Sequence, residues 1–136
     1  MSPTTTSDRT ALVTGASSGI GRELADVIAA DGYDLVVTAR REERLQSLAD
    51  ELGADHGIEV TVTPRDLATP AAAADLHEAV TDAGIDVDVL VNNAGVPVYG
   101  SFTDTDWEAE RDMLQVNVIA LTHLTKLFLP AMLKRG

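Results

Sequence analysis

Thr14-Gly15-Ala16-Ser17-Ser18-Gly19-Ile20-Gly21 is the segment of this 136-residue chain best suited to chemistry. It follows a short apolar run, Thr10 to Thr14, and precedes Leu24, Ala25, Val27 and Ile28 at helical spacing, so it reads as a loop from a buried strand into a helix. A helix start exposes unpaired N–H groups at the positive end of its dipole, and glycines let an anion such as a pyrophosphate approach the backbone. The pattern is not Gly-x-Gly-x-x-Gly, because Leu24 takes the last glycine's place. It is not a nucleoside triphosphate loop either, because no Gly-Lys-Ser/Thr follows. The competing explanation for the glycines is a tight turn.

Other candidates follow later strands. Leu35-Val36-Val37-Thr38-Ala39 leads into Arg40-Arg41, with no carboxylate until Glu42. In dinucleotide folds an acidic residue about 20 positions past the glycines holds a ribose 2′-hydroxyl, whereas an arginine accommodates a 2′-phosphate. A guanidinium can bind phosphate through paired charge-assisted hydrogen bonds, which predicts NADP with Arg40 as its contact. Alternatively, Arg40 and Arg41 open a solvated helix and pair with Glu42 or Glu43. Asp66 either caps a helix starting near Pro70 or serves a ligand. Asn117, among Leu114, Val116, Val118 and Leu121, needs hydrogen-bond partners. His123 fits a core or interface position better than a catalytic one.

Taken in order, the glycine segment, Asp66-Leu67, Asn92-Asn93-Ala94-Gly95 and Asn117 resemble the motifs of the short-chain dehydrogenases/reductases, whose glycine motif is Thr-Gly-x-x-x-Gly-Ile-Gly. The resemblance runs from Thr10 to Gly136, and four motifs in order are far more specific than one. It implies a nicotinamide dinucleotide site with Ser17, Ser18, Gly19 and Ile20 around the phosphates, and Gly15 and Gly21 in the same motif. It further implies Asp66 and Leu67 at the adenine and Asn93, Ala94 and Gly95 along the adenosine side. Asn117 would belong to a catalytic tetrad, holding a water where the helix is locally distorted; π-bulges at functional sites behave so. The implied function is an NADP-dependent oxidoreductase exchanging a hydride with a carbonyl or secondary alcohol.

That chemistry also needs a tyrosine, a lysine four residues later and a serine. The tyrosines, Tyr33 and Tyr99, are followed at that distance by Val37 and Thr103. A tyrosine near its free pKa of about 10 is a poor base without a cationic neighbour. The expectation is that the chain carries the adenosine half of the site, not the nicotinamide half, and shows no hydride transfer alone. The alternative is a non-catalytic dinucleotide-binding or interaction module, either a gene remnant or a subunit completed by another chain.

The elements that position these residues follow from periodicity. The first helix is closed by Gly32. The second runs from Arg41 to about Leu52 with Leu45, Leu48 and Leu52 on one face, and ends at Gly53 or Gly57. Ile58, Val60 and Val62 alternate with polar residues, as in an edge strand. Thr69-Pro70 is a cap and first turn for a helix over Ala71 to Ala83, with Gly84 after it. The fourth strand is Val87 to Val91, and a long helix covers roughly Asp106 to Lys134. Alternating strands and helices predict an α/β fold, a Rossmann-type doubly wound parallel sheet of order 3-2-1-4, stopping after the helix that follows strand four. Residues 1–9 read as a flexible tail and 10–136 as a partial NAD(P)-binding domain. The stripe Leu114, Leu121, Leu124, Phe128 and Leu129 suits self-association, as does the open edge of strand four.

Composition narrows the partners. With 10 basic against 22 acidic residues and a net charge of −12, nucleic acid is disfavoured. No cysteine means no disulfide, thiolate metal site or thiol nucleophile, and no metal is expected. The uncharged stretches Val89 to Thr103 and Met113 to Thr125 are too short for a bilayer, and Met1 to Thr10 lack a signal pattern, so a cytoplasmic location is expected. A flavodoxin-type receiver needs acidic residues where Leu12-Val13-Thr14 stand, and a methyltransferase wants one where Arg40 stands.

Overall fold

The structure, a computed structural model, describes residues 9–136. The tail expected over residues 1–9 lies, apart from Arg9, outside the described residues. The chain runs β1 (Thr10–Thr14), α1 (Gly19–Ala30), β2 (Asp34–Thr38), α2 (Glu42–His56), β3 (Val60–Val62), α3 (Ala72–Asp82) and β4 (Val89–Val91). One long helix follows in three parts: α4 (Trp107–Leu114), a π-helical segment (Gln115–Ala120) and α5 (Leu121–Arg135). The strands are parallel in the order β3-β2-β1-β4, with Leu12 opposite Val36 and Leu90, and Val36 opposite Thr61. This is the predicted Rossmann-type arrangement.

Strand alternation sorts the side chains to the two faces of the sheet. Ala11, Val13, Leu35 and Val37 pack with Ala25 and Ala29 of α1 and Leu45, Leu48 and Leu52 of α2. Leu12 and Val36 point the other way, against Leu76 and Val80 of α3 and Val116, Ala120, Leu124 and Phe128 of the long helix. Arg135 binds the Val87 carbonyl and pairs with Asp86 and Asp88, tying the end of α5 to the start of β4. Arg22–Glu51 and Asp26–His56 pair α1 with α2.

Gly32 and Gly84 close α1 and α3 as expected: the Tyr33 N–H reaches the Ile28 carbonyl, and the Ile85 N–H reaches that of Val80. Gly57, at φ 68°, ends α2; Gly53 lies inside that helix, which starts at Glu42 rather than Arg41. In α1 the sheet-facing line is Gly21, Ala25 and Ala29, while Val27 is 65% exposed, because the small residues let the helix backbone approach β1. One expectation needs correction. Thr69 and Pro70 do not cap α3: they lie in a turn in which the Thr69 N–H bonds the Asp66 carbonyl, and the helix begins at Ala72 with Ala71 as its N-cap.

The predicted association stripe is split. Leu124 and Phe128 are buried against the sheet layer, whereas Leu114, Leu121 and Leu129 face outward with Val118. The continuous helix Trp107–Arg135 is also long and apolar enough to cross a membrane by length and composition, unlike the shorter stretches weighed in sequence. Its Val116, Ala120, Leu124 and Phe128 are spent on the core, as in a helix packed on a sheet.

Candidate functional site

The carboxyl ends of β1, β2 and β4 meet the loops that carry the sequence motifs. The buried Thr14 hydroxyl ends β1 and fastens it to the loop after β4: it accepts the N–H groups of Asn93 (3.0 Å) and Ala94 (2.9 Å) and donates to the Val91 carbonyl (3.3 Å). The Asn93 side chain returns the link, donating from Nδ2 to the carbonyls of Thr14 and Gly15, each at 3.2 Å. Two glycines make room for this. A Cβ on Gly21 would stand 2.2 Å from the Gly15 carbonyl oxygen and 2.3 Å from Asn93 Nδ2; one on Gly15, at φ 64°, would stand 2.9 Å from Ala94 Cα. Gly15, Gly21 and Asn93 therefore interlock, and more than turn flexibility is asked of these glycines.

Gly19 is different: φ is 58° and nothing lies within 4 Å of its missing Cβ. It opens α1, whose N-cap Ser18 makes no side-chain capping bond. The first-turn N–H groups at Gly19, Ile20 and Gly21 thus lack the usual side-chain acceptor and are left for one from outside. Ile20 itself is 73% exposed.

A cleft of about 560 Å³ opens beside these loops. Gly15, Ser17, Ser18, Arg40, Asp66, Leu67, Asn93, Ala94 and Gly95 of the predicted set line it; Gly19, Ile20, Gly21 and Asn117 do not. Asp66 is exposed, and its Oδ1 accepts the Ala68 N–H at 3.0 Å, so it caps its own turn and not α3. Leu67 is buried beneath the cleft against Leu76 and its neighbours.

Asn117 sits in the π-helical segment, where the resemblance placed a distortion. Its amide pairs with the backbone of Val96, accepting the N–H at 2.9 Å and donating to the carbonyl at 3.0 Å. A Cβ on Gly95 would lie 3.3 Å from Asn117 Oδ1, so the glycine permits this approach. Asn117 thus pins the loop after β4 to the long helix, as Asn92 does through Nδ2 to Thr125 Oγ1 at 3.0 Å. His123 is half-buried on α5 and does not line the cleft.

Sequence reasoning missed Arg44 and Arg65, which also line the cleft. Arg44 stands four residues after Arg40 and three after Arg41, a spacing that shares a helix face and could have revealed it. Arg65 adjoins Asp66 at the exit of β3. None of the four arginines forms an ion pair among the described residues, so the predicted alternative of pairing with Glu42 or Glu43 is not realised. Arg41 is the N-cap of α2 in extended backbone (φ −95°, ψ 101°), and its side chain makes no capping bond. A serine or aspartate there is ordinarily worth about 1 kcal/mol more than a residue that cannot cap.

The sequence matches the family described as short chain dehydrogenase over residues 9–136. Dehydrogenase/reductase SDR family member 7B of Bos taurus is 39% identical over 130 residues, covering 91% of this chain and 40% of that protein. L-Sorbose reductase from Gluconobacter frateurii, solved with NADPH and L-sorbose, is similar with a TM-score of 0.88 and 32% identity, over 94% of this chain and 49% of that one. An alcohol dehydrogenase from Thermococcus sibiricus, solved with 5-hydroxy-NADP, gives a TM-score of 0.87 and 35% identity, over 93% of this chain and 54% of that one. The chain thus spans about half the length of the proteins it matches, or somewhat less.

Proposed function

Because this chain belongs to the short-chain dehydrogenase family, we propose that it forms the NADP-binding part of an oxidoreductase acting on a carbonyl or secondary alcohol. The observation that carries the cofactor choice is that Arg40 and Arg41 line the same cleft as the glycine loop and, among the described residues, pair with no carboxylate. In a chain with 22 acidic residues, guanidinium groups lining this cleft with no ion pair among the described residues fit a 2′-phosphate, which a carboxylate at that place would repel. The NADPH and 5-hydroxy-NADP named with the two similar structures agree with this reading.

The dinucleotide, when bound, supplies or takes up the hydride. The residues of this chain bind and orient it. Ser17, Ser18 and the first-turn N–H groups of Gly19, Ile20 and Gly21 would hold the diphosphate, and the open space at Gly19 leaves room for it. Arg40 would hold the 2′-phosphate and Asp66 and Leu67 the adenine. Asn93, Ala94 and Gly95, fixed by Thr14, would back the adenosine. Asn117 would act as a positioning residue, holding the Val96 loop to the long helix. Proton transfer needs a tyrosine–lysine pair that these 136 residues do not contain.

Arg40→Ala tests the cofactor choice. The dissociation constant for NADPH should rise about tenfold, as for loss of one charge-assisted bond, while that for NADH stays unchanged. An unchanged NADPH to NADH ratio in a fluorescence titration would contradict it. Exposed Leu114, Val118, Leu121 and Leu129 also support self-association through the long helix. Light scattering should give a mass above 14.4 kDa; a monomer at micromolar concentration would rule this out.

A further inference from the structure

We infer that Arg44 and Arg65 are further specificity-determining residues, which with Arg40 and Arg41 form a clamp of four guanidinium groups on the 2′-phosphate. The inference rests on the NADP reading and extends it from one arginine to four.

Charge distribution is the first support. The chain has 10 basic residues against 22 acidic ones, and four of those 10 line one cleft. Chance scatter over an acidic surface would bring arginines to carboxylates, as Arg22 and Arg135 show, yet these four make no ion pair among the described residues. The second support is local cost. Arg41 and Arg44 stand at the positive end of α2's dipole, where cations are disfavoured, and Arg41 occupies an N-cap of suitable extended geometry without providing a capping oxygen. Local rules broken without a structural return point to a binding role.

The third support is where Arg65 comes from. Its N–H donates to the Ala39 carbonyl at 3.0 Å, extending the β3–β2 ladder and placing its backbone beside the Ala39-Arg40 step. The side chain is half-buried, and one of its nitrogens, Nη1, donates to the Pro64 carbonyl at 2.6 Å, which steadies the fork and leaves its other N–H groups available. Arg65 thus approaches from the exit of β3, while Arg40, Arg41 and Arg44 come from the exit of β2 and the first turn of α2. A phosphate monoester carries close to two negative charges and three terminal oxygens, more than one bidentate arginine satisfies.

The test uses the 136-residue chain with adenosine 2′,5′-bisphosphate and adenosine 5′-monophosphate as probes, read by calorimetric titration. Arg65→Ala and Arg44→Ala should each weaken the bisphosphate about tenfold and change the monophosphate less than about twofold. Arg65→Lys keeps the charge without the fork and should recover part of the loss. If the parent chain binds both probes equally, the NADP reading fails and the clamp with it. If the parent favours the bisphosphate and Arg40→Ala loses that preference while Arg44→Ala and Arg65→Ala keep it, the clamp is overturned and the NADP reading stands. Should Arg65→Ala also lose the monophosphate, Arg65→Gln decides by the same ratio, since it retains the stem and a donor.

Discussion

Replacing Gly21 by alanine should lower the unfolding free energy by about 3 kcal/mol, the upper range for overpacking against a rigid neighbour. Glycine to alanine inside a helix ordinarily stabilises by about 0.5–1 kcal/mol. Here the sign reverses, because the added Cβ would meet the Gly15 carbonyl at 2.2 Å and Asn93 Nδ2 at 2.3 Å, and the first of these is backbone. Gly53→Ala is the internal control. It lies within α2, and the nearest atom to its added Cβ is the Ile58 carbonyl oxygen at an ordinary 3.6 Å. That variant should be more stable by about 0.5–1 kcal/mol. Urea unfolding of the two variants beside the parent checks both signs; a Gly21→Ala midpoint at or above the parent's would refute the interlocking of the two loops.

Thr14→Val should cost about 1–3 kcal/mol although the side chains are nearly the same size. The hydroxyl accepts two N–H groups and donates to one carbonyl, in a residue only 1% exposed. Valine takes the acceptor from the Ala94 N–H, whereas the Asn93 N–H and the Val91 carbonyl keep their own bond at 3.0 Å, so the cost is that of about one unsatisfied group, about 1–3 kcal/mol. Thr14→Ser keeps the hydroxyl and loses one methyl, for about 1 kcal/mol. A Val variant as stable as the Ser variant in urea would show that the network contributes little. Both Gly21→Ala and Thr14→Val should also weaken NADPH binding, because the loop from Asn93 to Gly95 is a wall of the cleft. The two sites share Asn93, so their effects should not add.

How far the sequence disclosed this molecule depends on the kind of interaction involved. Sheet order was legible because strands alternate with helices along the chain, and the ends of α1 and α3 because the glycine closures at Gly32 and Gly84 are local signals. Helical spacing alone did not give the sheet-facing line of α1: large residues at Leu24, Val27 and Ile28 carry the stronger hydropathy signal, but close packing selects Gly21, Ala25 and Ala29. Thr69-Pro70 has the composition of a helix start, yet Asp66 closes a turn first and delays the helix to Ala72. In the cleft, the strand-end motifs were found because their positions are fixed by the strands. Arg65 was passed over because its place beside Arg40 depends on β3 pairing with β2, a contact between distant parts of the chain. Asn117 was found, but its partner Val96 was not, since no periodicity links a loop to a π-helical turn 21 residues on.

Calorimetric titration of the 136-residue chain with NADPH and with NADH tests the proposed cofactor role most directly. NADPH should bind at least about tenfold more tightly, the preference worth about 1.4 kcal/mol or more that the unpaired arginines can supply. NADH binding as tight as NADPH, or tighter, would contradict the assignment of this cleft to a 2′-phosphorylated dinucleotide.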